Sequence, residues 1–196
     1  MCHLCNTKPV YEFTNQRKLC KTCFVHWFEK KFLYINRKFN LIQKGDVIFI
    51  KKGNGYQYAV LKYLLEKFED KLMIKINNKK SNKTALTSTI DYEANEMIDV
   101  LINKDISKLS KLKPINNRII KPLYLFTDEE VLIYTKIKRL RFTPKGVPSS
   151  NKKKGISEEG KEKKTEISEF IDKLEKKHPE VKRAVVNSYL KLNTLK

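Results

Sequence analysis

The sequence predicts an α/β domain built on a parallel sheet and preceded by a small cysteine-rich module. Three observations carry that prediction. Four cysteines stand as two Cys-x-x-Cys pairs within the first 23 residues. Strand-sized apolar runs then alternate with segments whose apolar residues recur at helical spacing. Between the first such run and the first long helical pattern lies a glycine-rich stretch, Lys51-Lys52-Gly53-Asn54-Gly55-Tyr56-Gln57.

The pairs are Cys2-His3-Leu4-Cys5 and Cys20-Lys21-Thr22-Cys23, separated by fourteen residues. Each pair forms a tight knuckle, and four thiolates close a tetrahedral shell, which is the pattern of a structural zinc ribbon. Disulfides or free thiols are the alternative, disfavoured where thiols are kept reduced. His3 and His26 lie beside the knuckles, but the spacing does not require either as a ligand. Residues 10–13 and 17–19 read as a hairpin between the pairs. Phe24, Trp27, Phe28 and Phe32 then recur at helical spacing, so a helix over 24–33 packs one face on the following domain.

Lys44-Gly45-Asp46 turns the chain into a strand over 47–50, and the glycine-rich loop leads into a helix reaching about residue 69. A buried strand, a glycine turn and a helix N-terminus suit an anion-binding loop. Strands are expected over 71–76 and 83–86. A helix is expected over 91–102, where acidic residues come early and apolar ones follow. Residues 116–122 read as a strand or extended segment. Thr127, with Glu130 three positions on, forms a capping box that opens a helix over 131–139. Residues 144–164 are a basic, low-complexity loop, and helices over 166–177 and 180–192 end the chain. The resulting divisions are 1–43 for the ribbon and linking helix, 44–143 for the α/β core, 144–164 for the loop, and 165–196 for the terminal helices.

A net charge of +20 points to a polyanionic partner, because such a surface attracts phosphates and releases their counterions. A biased coding sequence would explain abundant lysine, but not its excess over acidic residues. No signal peptide precedes Cys2, and no apolar stretch reaches the ~20 residues of a membrane span. The expectation is a cytoplasmic protein with no membrane partner.

Several stretches in order resemble one family, the archaeal and eukaryotic tRNA wobble-uridine 2-thiolation proteins of the PP-loop ATPase superfamily. The ribbon is followed by Cys23-Phe24 and a helix containing Phe28-Glu29-Lys30-Lys31. Lys44-Gly45-Asp46 leads into the strand that precedes the family's loop S-G-G-K-D-S. Ser88-Thr89-Ile90-Asp91-Tyr92-Glu93-Ala94 is similar to its G-H-N-x-D-D-E-A segment. Asn103 to Leu109, Ile120-Lys121-Pro122-Leu123, and Glu129-Glu130-Val131 through Tyr134 resemble later family stretches. So do Phe170 to Glu175, Pro179 to Lys182 and Ser188-Tyr189-Leu190. The resemblance implies a reduced PP-loop domain, adenine nucleotide alpha hydrolase-like, behind a zinc ribbon.

Active members adenylate the uridine carbonyl oxygen with ATP and then deliver sulfur. Their loop Lys and Asp correspond here to Gly55 and Tyr56, and their loop serines to Lys52 and Gln57. Tyr56 is expected to fill the space a pyrophosphate needs. Lys52, Gly53, Asn54, Gly55 and Asp91 would be the remnant of a nucleotide site, with Tyr92 in place of the second carboxylate. No cysteine lies beyond the ribbon, one βα unit seen in full cores is missing, and the family's second ribbon has no counterpart. The resemblance therefore implies structural zinc, poor ATP binding and no iron–sulfur cluster. It also implies a degenerate, non-catalytic member that binds tRNA or pairs with a catalytically complete paralogue. RNA contact is expected from Arg17, Lys18, Lys21, Lys136, Lys138, Arg139, Arg141, Lys152, Lys153 and Lys154, mostly to phosphates. The alternatives are an active ATP-dependent tRNA thiolase and a general zinc-ribbon module that binds RNA or protein.

Overall fold

The computed structural model describes residues 1–53, 55–77, 80–142, 174, 178 and 180–194. The basic loop expected over 144–164 lies outside the described residues, as does the helix expected over 166–177 except for Leu174. Strands β1 (Tyr11–Glu12) and β2 (Lys18–Leu19) pair antiparallel between the two knuckles, Tyr11 opposite Leu19. Helix α1 (Lys21–Phe39) starts inside the second knuckle and runs well past the predicted end. Arg37 and Lys38 suit its final turn, and Asn40 closes it in the left-handed conformation at φ 49. Phe24, Phe28, Phe32 and Ile35 are fully buried along one face of α1, while Trp27 is half-buried beside them.

Gly45, at φ 86, makes the turn into β3 (Val47–Ile50), a conformation that glycine adopts without a side-chain penalty. There follow α2 (Tyr56–Lys67), α3 (Glu69–Leu72), β4 (Lys75–Ile76), β5 (Lys83–Ala85) and α4 (Ile90–Ile102). A 3-10 segment (Ile106–Leu112), the hairpin β6 (Ile115–Asn116) and β7 (Ile119–Ile120), α5 (Asp128–Lys138) and α6 (Val181–Thr194) complete the described chain. The sheet order is β4-β3-β5-β7-β6. All neighbours pair parallel except β6, which returns antiparallel along β7.

Two expected strands differ in the structure. The strand expected over 71–76 is only Lys75–Ile76, because Glu69 to Leu72 make one more helical turn that Met73 closes at φ 51. The segment 116–122 is half of a hairpin, turned by Asn117 at φ 53, a conformation asparagine tolerates better than most residues. The capping box of α5 forms as expected: Glu130 N–H donates to the Thr127 hydroxyl, and Thr127 N–H donates to the Glu130 carboxylate.

Two cores hold these elements. The larger joins the ribbon's Cys2, Tyr11 and Leu19 to α1, α2, α5 and the sheet. The smaller gathers α4, the 3-10 segment and α6 around Met97, Leu112, Tyr124 and Val186. The chain enters the sheet at β3, crosses to β4 on one side, and returns to β5 on the other. The carboxyl ends of β3 and β5 therefore form a topological switch point, where open α/β sheets bind ligands. Among the described residues no helix is long and apolar enough to cross a membrane.

Candidate functional site

The first site is built by the knuckles. The four cysteine sulfurs all lie within 4.8 Å of one another, with Cys5 Sγ 3.4 Å from Cys20 Sγ and 3.6 Å from Cys23 Sγ. The hairpin holds the pairs together, since Cys2 N–H donates to Thr7 and His3 N–H donates to Lys18 across the turn. Cys2 and Cys20 are buried, Cys5 is exposed and Cys23 lies between. Hydrogen bonds divide the thiols. Thr7 leads the contacts that pull Cys20 down to about 6. Hydrogen bonds shared with Cys5 and Cys20, ahead of burial, push Cys23 up to about 12. Four soft thiolates held this closely form a donor set for zinc or for iron.

The second site lies at the switch point. A cavity of about 690 Å³ opens there, within the range of small-ligand pockets. The loop after β3 supplies Lys51, Lys52, Gly53 and Gln57, and the loop after β5 supplies Ser88 and Thr89. Lys111 and Lys121 line it from the later elements, alongside Glu93 and Glu96 of α4. Lys121 donates to Glu93 at 2.8 Å and to the Lys111 carbonyl at 3.1 Å, and the Lys121 and Glu93 side chains are both buried. Burial raises the Glu93 carboxyl, and Lys121 only partly offsets it. Ser88 lies close enough to ease the Glu93 charge as well. Even so, neither its hydroxyl nor the second Glu93 oxygen makes a hydrogen bond of normal geometry among the described residues.

The sequence-predicted loop residues divide between this cavity and its surroundings. Lys52 and Gly53 line the cavity, while Gly55 caps α2 and lines a smaller neighbouring hollow. Asn54 lies outside the described residues. A Cβ at Gly55 would lie 2.7 Å from Oε1 of Gln57, so glycine there lets the Gln57 amide fold back over the helix start. That amide donates to Asp128 at 3.1 Å, and the Thr89 hydroxyl donates to the same oxygen at 2.9 Å. Tyr56 is not among the residues that line this cavity. Its ring meets Phe142 edge-on at 6.0 Å, and burial with the nearby Asp128 charge pushes its phenol up to about 12. Asp91 is not brought into the cavity either. It accepts the Asp128 N–H at 2.6 Å and pairs with Lys182 at 3.2 Å, which ties α4 to α5 and α6.

The basic residues expected to contact RNA fall in two regions. Arg17 stacks on Phe13 at 4.4 Å and Lys18 pairs with Glu12, while Lys21 is exposed at the start of α1. At and beyond the end of α5, Lys136, Arg139 and Arg141 are exposed, whereas Lys138 is drawn to Glu29 at 3.7 Å and lies over Tyr63. Lys152, Lys153 and Lys154 lie outside the described residues. The cavity's Lys51, Lys111, Lys121, Ser88 and Glu93 carry no site role in the sequence reading, although Lys51 stands in the glycine-rich loop and Ser88, Glu93 and Lys121 stand in stretches that carry the resemblance. One signal did exist: Glu93 interrupts the apolar stripe of Ile90, Ala94 and Met97, which marks a buried charge.

The sequence matches no protein-family model and no curated protein. Among solved structures, the fold is similar to that of the U34-tRNA thiolase NcsA from Methanococcus maripaludis with its 4Fe-4S cluster. The TM-score is 0.72 at 18% sequence identity, over 97% of this chain and 86% of that one. The chain therefore has the α/β fold of that structure, with an N-terminal four-cysteine module. The expectation of zinc to the exclusion of an iron–sulfur cluster is corrected. The similar structure carries such a cluster, and four thiolates suit iron as well as zinc.

Proposed function

We propose that this chain acts in tRNA wobble-uridine thiolation as a tRNA-binding or partner subunit that does not itself adenylate the uridine. The fold shared with a U34-tRNA thiolase and the net charge of +20 support the pathway and the RNA partner. The observation that carries the non-catalytic reading is the Gln57–Asp128 hydrogen bond at 3.1 Å. It sets an amide and a carboxylate against the first turn of α2, where helix N–H groups would otherwise receive phosphate. A fixed carboxylate there repels a phosphate, and neither Gly55 nor Tyr56 supplies a compensating cation.

A second reading, an active ATP-dependent tRNA thiolase, is favoured by the cavity itself. Its volume admits a nucleotide, its lysines attract phosphate, and Ser88 and Glu93 retain unused hydrogen-bonding capacity. The two readings separate in one assay, the release of AMP and pyrophosphate from ATP by the metal-loaded protein with and without tRNA. The proposal expects no release above the protein-free rate. Release that depends on tRNA would overturn it and establish the second reading.

A further inference from the structure

Helix α1 carries one acidic residue in its 19, Glu29. That carboxylate is turned into the core, held by Lys67 at 2.6 Å and by the Tyr134 hydroxyl at 2.8 Å. The solvent face of α1 is therefore neutral or cationic throughout. On it, His26, Lys30, Tyr34 and Lys38 follow one another at four-residue intervals and form a single row, all exposed. Lys30 and Lys38 take part in no ion pair among the described residues, and Lys38 Nζ lies 5.8 Å from the centre of the Tyr34 ring.

Beside this row a second cavity, of about 580 Å³, is lined by Leu4 of the first knuckle, His26, Trp27, Lys30, Lys31 and Tyr34. Leu4 and Tyr34 keep 67% and 50% of their surface exposed, so apolar area stands open to water on both. Large apolar side chains beside the unpaired ammonium groups of Lys30 and Lys38, with no acid lining the cavity, suit one chemistry well. An unpaired base stacks on the aromatic faces while its phosphates lie on the ammonium groups. A duplex hides its base faces, and an acid-poor peptide would leave Lys30 and Lys38 uncompensated.

We propose that this face of α1, beside the cysteine module, binds an unpaired base of RNA, stacked against Tyr34 and Trp27 with its phosphates on Lys30 and Lys38. The inference rests on the RNA-binding reading above and adds the element and the kind of nucleotide it holds. It involves none of the basic residues predicted from sequence.

Trp27 is the only tryptophan in the chain, so its emission reports on this cavity. The full-length, metal-loaded protein is titrated with a mixed-sequence single-stranded RNA octanucleotide and with a fully paired RNA duplex, following that emission. Binding of fluorescently labelled, unfractionated tRNA is measured in parallel by anisotropy. The expected result is saturable quenching by the single strand and little by the duplex. Tyr34→Ala, at an exposed position that should not disturb folding, raises the octanucleotide Kd roughly fivefold or more, while Tyr34→Phe binds as the parent does. Lys30→Ala lowers the salt slope by about one phosphate contact. If tRNA binds but Trp27 emission and the Tyr34→Ala affinity are unchanged, the inference is overturned while the RNA-binding reading stands. If no RNA binds, both are overturned. If Tyr34→Ala instead abolishes self-association seen by sedimentation, the face is a contact between copies and the inference is likewise overturned.

Discussion

Lys31 of α1 donates to Glu130 of α5 at 2.7 Å, and the carboxylate is fully shielded from water. The same carboxylate receives Arg183 of α6 at 2.6 Å and the Tyr11 hydroxyl of the ribbon at 3.4 Å. The cysteine module, the first helix and the last helix are thus referred to one side chain. Burial pulls the Lys31 ammonium down to about 8 even though the Glu130 charge favours it, so the pair holds its charges at a cost.

Removing the acceptor should therefore be severe. Glu130→Ala leaves Lys31 buried without a counterion and is expected to cost about 3–5 kcal/mol. Urea unfolding followed by circular dichroism measures it. A loss below roughly 1 kcal/mol, the scale of an exposed pair, would show that Glu130 does not join the ribbon to the core.

Acid should act through Glu29. Burial alone raises this carboxyl, but the Lys67 and Tyr134 hydrogen bonds and the charges of Lys67 and Lys138 outweigh it and hold the group below its ordinary 4.5. The unfolded chain then binds the proton more readily than the fold. The contribution is complete above about pH 4.5 and fades as the pH falls through the lowered value. Thermal midpoints of Glu29→Gln measured against pH should decline less steeply than those of the parent below pH 4.5. Parallel declines would show that Glu29 does not carry the acid sensitivity of the fold.

The cysteine module should depend on its metal. The chain has four cysteines, all in the candidate centre, so a thiol reagent counts the ligands directly. In the metal-loaded protein the four thiols should react slowly, and a strong chelator should release them together. Trp27 packs on Tyr11 and Phe13 of the hairpin, so its emission should shift to the red in the same step. Elemental analysis with visible absorption then separates zinc from iron. Four thiols that react freely before chelation would contradict a metal-built ribbon.

What could be read in the sequence was local. The knuckles, the hairpin between them and the Thr127–Glu130 capping box depend on neighbours a few residues apart, and the structure reproduces the box bond for bond. The second role of Glu130 could not be read, because Lys31 and Arg183 stand 99 and 53 residues away. The glycine-rich loop was visible as a turn into a helix. The commitment of Gln57 to Asp128, 71 residues on, was not. Asp91 read as a site carboxylate by its position in a motif, yet the packing of α4 against α6 turns it toward Lys182. Short strands were the remaining failure: Lys71 and Leu72 look strand-like in composition, but the turn closed at Met73 keeps them helical.

If this fold binds tRNA through its phosphates while its loop is committed to other contacts, the salt dependence of tRNA affinity is the property to measure first. Labelled tRNA is titrated with the metal-loaded protein at increasing salt. The expected result is saturable binding that weakens roughly a hundredfold between about 50 and 200 mM salt, the loss for about four neutralised phosphates. Absent binding at the lowest salt, or an affinity that salt leaves unchanged, would contradict it.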